Sequence, residues 1–238
     1  NFVLCCILSI AMASCAQDAE RDFDSDASPH RQAQTSTIDL AIRRLAEGNT
    51  DEAFELIDRA INQGLDTAET YNLRGIIRQR RNEHELAVSD FDQAISRDGA
   101  DGDFYNNRAL SRQILGDYAG AESDFRRAIS LQPTSSVAHY NLGILLYFQE
   151  QFPQSIEALE MASHLNPDDS DSWFQLGIVY DRMVMTDKAI EAFSRVIEIE
   201  QGFDDQSFFL RGLAYAEQGQ VELAETDFSR AIDKGLRN

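Results

Sequence analysis

The chain has 238 residues, 43% hydrophobic and 26% charged, with 21 Lys and Arg against 41 Asp and Glu for a net charge of −20. That composition belongs to a folded protein rather than a disordered one. A body this acidic is repelled by phosphate backbones and anionic membrane faces, which excludes nucleic acid as a partner, and with Lys188 and Lys234 as the only lysines no Lys-rich patch offsets the field.

The first segment is a charge-free apolar run, Phe2 to Ala13. It is too short to span a bilayer, which takes roughly 20 apolar residues, and it has the length of a signal-peptide core. The run closes in Met12-Ala13-Ser14-Cys15. This resembles the lipobox of bacterial lipoproteins, with Met12 where Leu is usual. The resemblance implies lipidation of Cys15, membrane attachment only through that anchor and, with Ala16 rather than Asp next, an outer-membrane location facing the periplasm. Ordinary secretion competes with it, since Ala11-Met12-Ala13 is also a small-x-small cleavage site. All three cysteines (Cys5, Cys6, Cys15) lie here, so the remaining body forms no internal disulfide. Residues 1–15 therefore read as a signal segment whose start is missing. Residues 16–34, with five acids and two Arg, read as a disordered tether of about 25 Å reach.

From residue 35 to 238 the chain is periodic. Small residues stand at Ala41, Gly75, Ala109, Gly143, Gly177 and Gly212, 34 or 35 residues apart. Twelve residues after each comes another small residue (Ala53, Ala87, Ala121, Ser155, Ala189, Ala224), and four further on a large apolar one (Ile57, Phe91, Phe125, Leu159, Phe193, Phe228). Four before each stands Thr37, Tyr71, Tyr105, His139, Trp173 or Phe208, and Pro133 and Pro167 close the third and fourth units. These positions resemble the tetratricopeptide repeat, a helix–turn–helix unit of this length. The resemblance implies an all-α, right-handed solenoid of about six repeats, at about 34–67, 68–101, 102–135, 136–169, 170–204 and 205–238. Small residues let paired helices approach closely while the large ones fill the gap between units. Gly48, Gly116 and Gly219 mark where a first helix should stop, and Asn82 can take the same left-handed conformation. Glu150 and Val184 depart from that pattern, so those two turns are expected to differ.

Comparison among the units links two further positions. Arg74, Arg108 and Arg211 precede their small residues, and only those units carry Asp sixteen residues later, at Asp90, Asp124 and Asp227. Where the Arg is Leu40, Leu142 or Leu176, the later residue is Leu56, Ala158 or Ala192. Either charge buried alone would be costly, so the joint switching predicts ion pairs Arg74–Asp90, Arg108–Asp124 and Arg211–Asp227 between the two helices of one repeat.

No catalytic constellation stands out. His30, His84, His139 and His164 have no metal-ligand spacing on one helix face, with His139 expected as a packed ring at the aromatic position. There is no phosphate loop, nucleophile elbow or zinc motif. The reading is a protein without enzyme activity, cofactor or metal.

The working surface is then the stripe of each first helix opposite its packing face, which in this family lines a concave groove. One half is amide-rich, with Asn72, Gln79, Asn106 and Gln113, whose side chains can pair with an extended main chain. The other half is aromatic and acid-edged, with Tyr140, Tyr147, Phe174, Asp181 and Phe209, able to bury apolar side chains. The competing account has Phe174 and Phe209 packed against adjacent repeats. The stripe lacks the Lys clamp that chaperone-tail binders of the family use on a terminal carboxylate. With −17 net on the repeats (19 basic, 36 acidic), the expected partner is a neutral or basic protein segment or extended peptide. The combined features resemble outer-membrane tetratricopeptide lipoproteins of bacteria, which implies an envelope adaptor. Two alternatives stay open: a cytosolic co-chaperone-like adaptor, and the targeting arm of a larger, truncated protein. The chain ends directly after the last repeat, so the expectation is either truncation or a face that pairs with a second copy as a homodimer.

Overall fold

A computed structural model describes residues 29–202 and 204–235. Cys15, the signal segment and residues 16–28 of the tether lie outside the described residues. Among the described residues twelve α-helices follow one another in pairs: α1 (Pro29–Ala46) with α2 (Thr50–Asn62), α3 (Ala68–Arg80) with α4 (His84–Arg97), α5 (Gly102–Ile114) with α6 (Tyr118–Leu131), α7 (Ser136–Phe148) with α8 (Phe152–Leu165), α9 (Ser170–Arg182) with α10 (Thr186–Ile199), and α11 (Asp205–Glu217) with α12 (Val221–Lys234). The described residues contain no strand. Helix α1 starts at Pro29, which takes residues 29–34 out of the expected tether. Proline at a helix start has no hydrogen-bond donor to lose and a φ already set for the helix.

The period repeats in the caps. Thr67, Asp101, Ser135, Asp169 and Asp204 each accept a hydrogen bond from a main-chain N–H in the first turn of the first helix that follows. At the other end of each first helix the chain reverses through one left-handed residue: Gly48, Asn82, Gly116, Glu150, Val184 or Gly219. Glu150 and Val184 do not make different turns, as expected from their side chains. Their φ values are +59° and +57°, and the following amides close the same bonds as elsewhere, Gln151 N to the Leu146 carbonyl at 2.9 Å and Met185 N to the Tyr180 carbonyl at 2.8 Å. These reverse bonds satisfy carbonyls the helix would leave open, and closing the hairpin outweighs the local strain of a side chain at positive φ.

Helix pairing explains the small residues. A Cβ added at Gly75 would sit 2.6 Å from the Phe91 ring, and one at Gly177 2.6 Å from the Phe193 ring. Phe91, Phe125 and Phe193 are accordingly buried, each contributing about 1.5–3 kcal/mol of apolar burial. The aromatics four residues before the small ones do a second job. Tyr105 donates to the Gly99 carbonyl at 3.4 Å, the His139 ring nitrogen lies 3.1 Å from the Pro133 carbonyl, and Trp173 donates to the Pro167 carbonyl at 3.0 Å. His139 is therefore a half-buried clamp on the preceding loop rather than a ring sunk in the core.

The described chain divides into two compact units, one up to Gln132 and one from Pro133. Unit 1 holds α1–α6 and unit 2 holds α7–α12, so each is an all-α stack of three helix pairs. Within a unit, every first helix packs on its own second helix, and α3, α5, α9 and α11 pack also on the second helix before them.

Candidate functional site

The three Arg–Asp pairs stand at the seams between the helices. Arg74 Nη2 lies 2.7 Å from Asp90 Oδ1, Arg108 Nη2 2.7 Å from Asp124 Oδ1 and Arg211 Nε 2.7 Å from Asp227 Oδ2. Each acid is nearly fully buried. The arginines also reach back to the preceding second helix, which spacing within one repeat did not reveal. Arg74 Nη1 meets Asp58 at 2.8 Å, Arg108 Nη1 meets Asp92 at 2.6 Å, and Arg211 Nη1 donates to Ser194 Oγ at 2.9 Å. Arg78 and Arg112 add a second guanidinium to Asp90 and Asp124, at 2.7 and 2.8 Å. Burial works to lower the pKa of Arg74, Arg108 and Arg211, and the hydrogen bonds they donate to the paired carboxylates, with the attraction of those charges, outweigh it, raising all three. These residues tie three helices together and present no reactive group.

In unit 1 most of the amide stripe is used inside the protein. Gln79 is 8% exposed, and its Nε2 donates to the Asn107 carbonyl at 2.8 Å and to Ser111 Oγ at 2.9 Å. Asn72 is half-buried and accepts from Asn107 Nδ2 at 3.0 Å. Asn106 is buried and engaged by other groups of the protein. Gln79 and Asn106 are thus framework rather than free peptide-binding amides, because α3 and α5 pack directly on one another and that contact takes part of the face opposite the second helices. Gln113 is half-buried and Ile114 exposed.

In unit 2 the stripe divides along the same line. Tyr140 is 4% exposed and belongs to the core, not to a groove, since it lies on the side of α7 that turns into the stack. Tyr147 is half-buried against Phe148 and Phe152, with ring centroids 5.6 and 5.8 Å away. Phe174 is half-buried edge-on to Phe193, and Phe209 leans on Phe228 at 5.8 Å while staying 38% exposed. Packing and exposure therefore coexist at both. Phe148 and Leu213 are 51% and 41% exposed, and Asp181 and Glu217, on the corresponding stripe of α9 and α11, are exposed as well. The arrangement offers apolar contact edged by acids and no group placed for bond making.

Among the described residues no group of three or more His, Cys, Asp or Glu could hold a metal ion, and no helix is long and apolar enough to cross a membrane. The sequence reading missed a second feature of unit 2, a cleft of about 540 Å³ over Trp173 and Tyr180 between α8 and α10. Its one signal in the sequence is that Leu176 and Ala192 break the Arg–Asp pattern.

Comparison with known proteins places this architecture. Three models described as tetratricopeptide repeat match residues 72–136, 114–176, and 170–203 with 205–233. No curated protein matches the chain. Among solved structures, MamA is 26% identical over 67% of this chain and 93% of its own, with a TM-score of 0.63. YrrB, described as a TPR protein with an unusual peptide-binding site, is 25% identical over 75% of this chain and 92% of its own, with a TM-score of 0.64. PilF of Pseudomonas aeruginosa is 19% identical over 84% of this chain and 90% of its own, with a TM-score of 0.74, a likeness of fold alone. Six helix pairs on one period, the small-on-large contacts between them and these matches together make the chain a member of the tetratricopeptide repeat family.

Proposed function

We propose that the chain is a non-enzymatic scaffold that binds a protein segment on the first-helix faces of unit 2. The observation that carries this reading is the partly exposed stripe of Phe148, Phe209 and Leu213 edged by Asp181 and Glu217. Aromatic and aliphatic surface of that kind supplies contact energy, and the acids favour a neutral or basic ligand. The likeness to YrrB, whose description names a peptide-binding site, supports it. Selection of a displayed random-peptide library on the protein tests the proposal. Enriched sequences combining apolar and basic residues are expected, with binding at least about 10-fold weaker to F148E/F209E at unchanged helix content. No enriched sequence, or binding indifferent to both substitutions, would refute it.

The envelope-anchored form of this scaffold rests on the sequence ending in Cys15. Palmitate labelling that disappears in C15S supports an anchor there, and absence of label in a membrane-processing host removes it.

A further inference from the structure

The slot between consecutive second helices is filled by a guanidinium wherever the repeat carries its Arg–Asp pair. Arg74 lies over the Tyr71 ring at 5.2 Å, Arg108 over Tyr105 at 5.5 Å and Arg211 over Phe208 at 5.6 Å. Arg74 and Arg108 each bridge an acid of the preceding second helix and an acid of their own. The fifth repeat keeps half of this arrangement. Trp173 holds the ring position, and Glu160 stands where Asp58 and Asp92 stand, on the preceding second helix. The arginine position is Leu176 and its aspartate partner is Ala192. Two short apolar residues in place of an ion pair leave the cleft of about 540 Å³, a volume in the range of ligand sites, with Leu176 and Ala192 among its lining, Trp173 and Tyr180 beside them, and Glu160 and Glu191 contributing carboxylates.

The geometry points to this cleft as a receptor for an arginine side chain of a partner polypeptide, which supplies from outside the guanidinium the fifth repeat lacks. Planar stacking on an indole suits guanidinium better than ammonium. The Glu160 carboxylate accepts from the Tyr180 hydroxyl, which orients it and leaves lone pairs for a bidentate donor. The cation now beside it is Lys188, whose Nζ is 3.4 Å from Glu160 with the side chain 49% exposed. A contact that long and that solvated is weak and easily exchanged. Among the described residues no guanidinium stands over Trp173, whereas Tyr71, Tyr105 and Phe208 each carry two. The slot is lined by residues of α8–α10, none of them shared with the stripe of the proposed scaffold, whose apolar members lie on α7 and α11 and whose Asp181 on α9 is not part of the slot, so failure at either leaves the other standing.

Trp173 is the only tryptophan of the chain, so its fluorescence reports the cleft directly. Titration with acetyl-Gly-Arg-Gly-amide should give a saturable change, with the Lys peptide weaker and the Gln peptide at least about 10-fold weaker. L176R/A192D rebuilds the pair found in the second, third and sixth repeats. It should fill the slot and abolish the response while leaving the circular dichroism unchanged. E160Q should reduce the Arg response to that of the Gln peptide, and it decides the matter if the double variant fails to fold. Equal responses to Arg, Gln and norleucine peptides, no saturable response, or a response surviving in folded L176R/A192D would overturn the assignment.

Discussion

Removing the carboxylate of Asp90 tests whether the buried ion pairs bind the repeats together. Asp90 is 2% exposed and accepts from Arg74 Nε and Nη2 and from Arg78 Nη1. D90A leaves two guanidinium groups facing an apolar seam, and breaking a buried pair from one side costs about 3–5 kcal/mol. The lower figure applies here, because Arg74 keeps Asp58 at 2.8 Å on the half-exposed side. The informative comparison is R74L/R78Y/D90A, which installs the combination the fifth repeat carries at Leu176, Tyr180 and Ala192. With no charge left unpaired at the buried seam, since Asp58 loses Arg74 but is partly exposed and still accepts from Asn62 Nδ2 at 3.1 Å, this triple variant should recover at least about half of the loss despite its three substitutions. Urea unfolding followed by helical circular dichroism measures both. The reasoning is refuted if D90A lies within about 1 kcal/mol of the parent, or if the triple variant is no more stable than D90A.

Two further outcomes follow from single positions. V184G should raise the unfolding free energy by about 0.5–1 kcal/mol, seen as a higher urea midpoint: Val184 holds φ at +57° with 80% of its surface exposed, so glycine relieves left-handed strain of about 1–2 kcal/mol against a smaller entropic cost. A decrease would show that the Val184 side chain packs to purpose. His84 supplies a pH dependence. Burial lowers its pKa below 6.5, with Glu85 opposing, and its Nδ1 has no hydrogen-bond partner among the described residues. The unfolded chain therefore binds the proton first as pH falls through 6.5, so the stability contributed by neutral His84 is full above that pH and is lost below it. Replacement by phenylalanine, the residue at the equivalent Phe152, should flatten this part of the stability profile by less than about 1 kcal/mol. An unchanged acid slope in H84F, measured by urea titrations across the interval, would rule His84 out as its source.

Much of the architecture was legible because the repeats within each unit meet like neighbours, so a contact that recurs in space recurs in the chain. The glycine and alanine positions, the large residues opposite them and the coupled Arg and Asp are of this kind: Gly75 faces Phe91 and Gly177 faces Phe193, at one sequence offset. The turns at Glu150 and Val184 could not be judged from residue type, since the pairing of whole helices overrides the preference of one side chain.

The order of the helices, their pairing and the family follow from the amino-acid sequence alone, through a period that local packing enforces. Which polar side chains are free was decided only by the tertiary structure. Gln79 and Asn106 lie on helix faces that look open in the sequence, yet both are buried; the Gln79 amide satisfies the seam between α3 and α5 instead of a ligand, and Asn106 is engaged within the protein. The slot over Trp173 is likewise made by what two short residues fail to fill, and a void has a location only once the walls around it are in place.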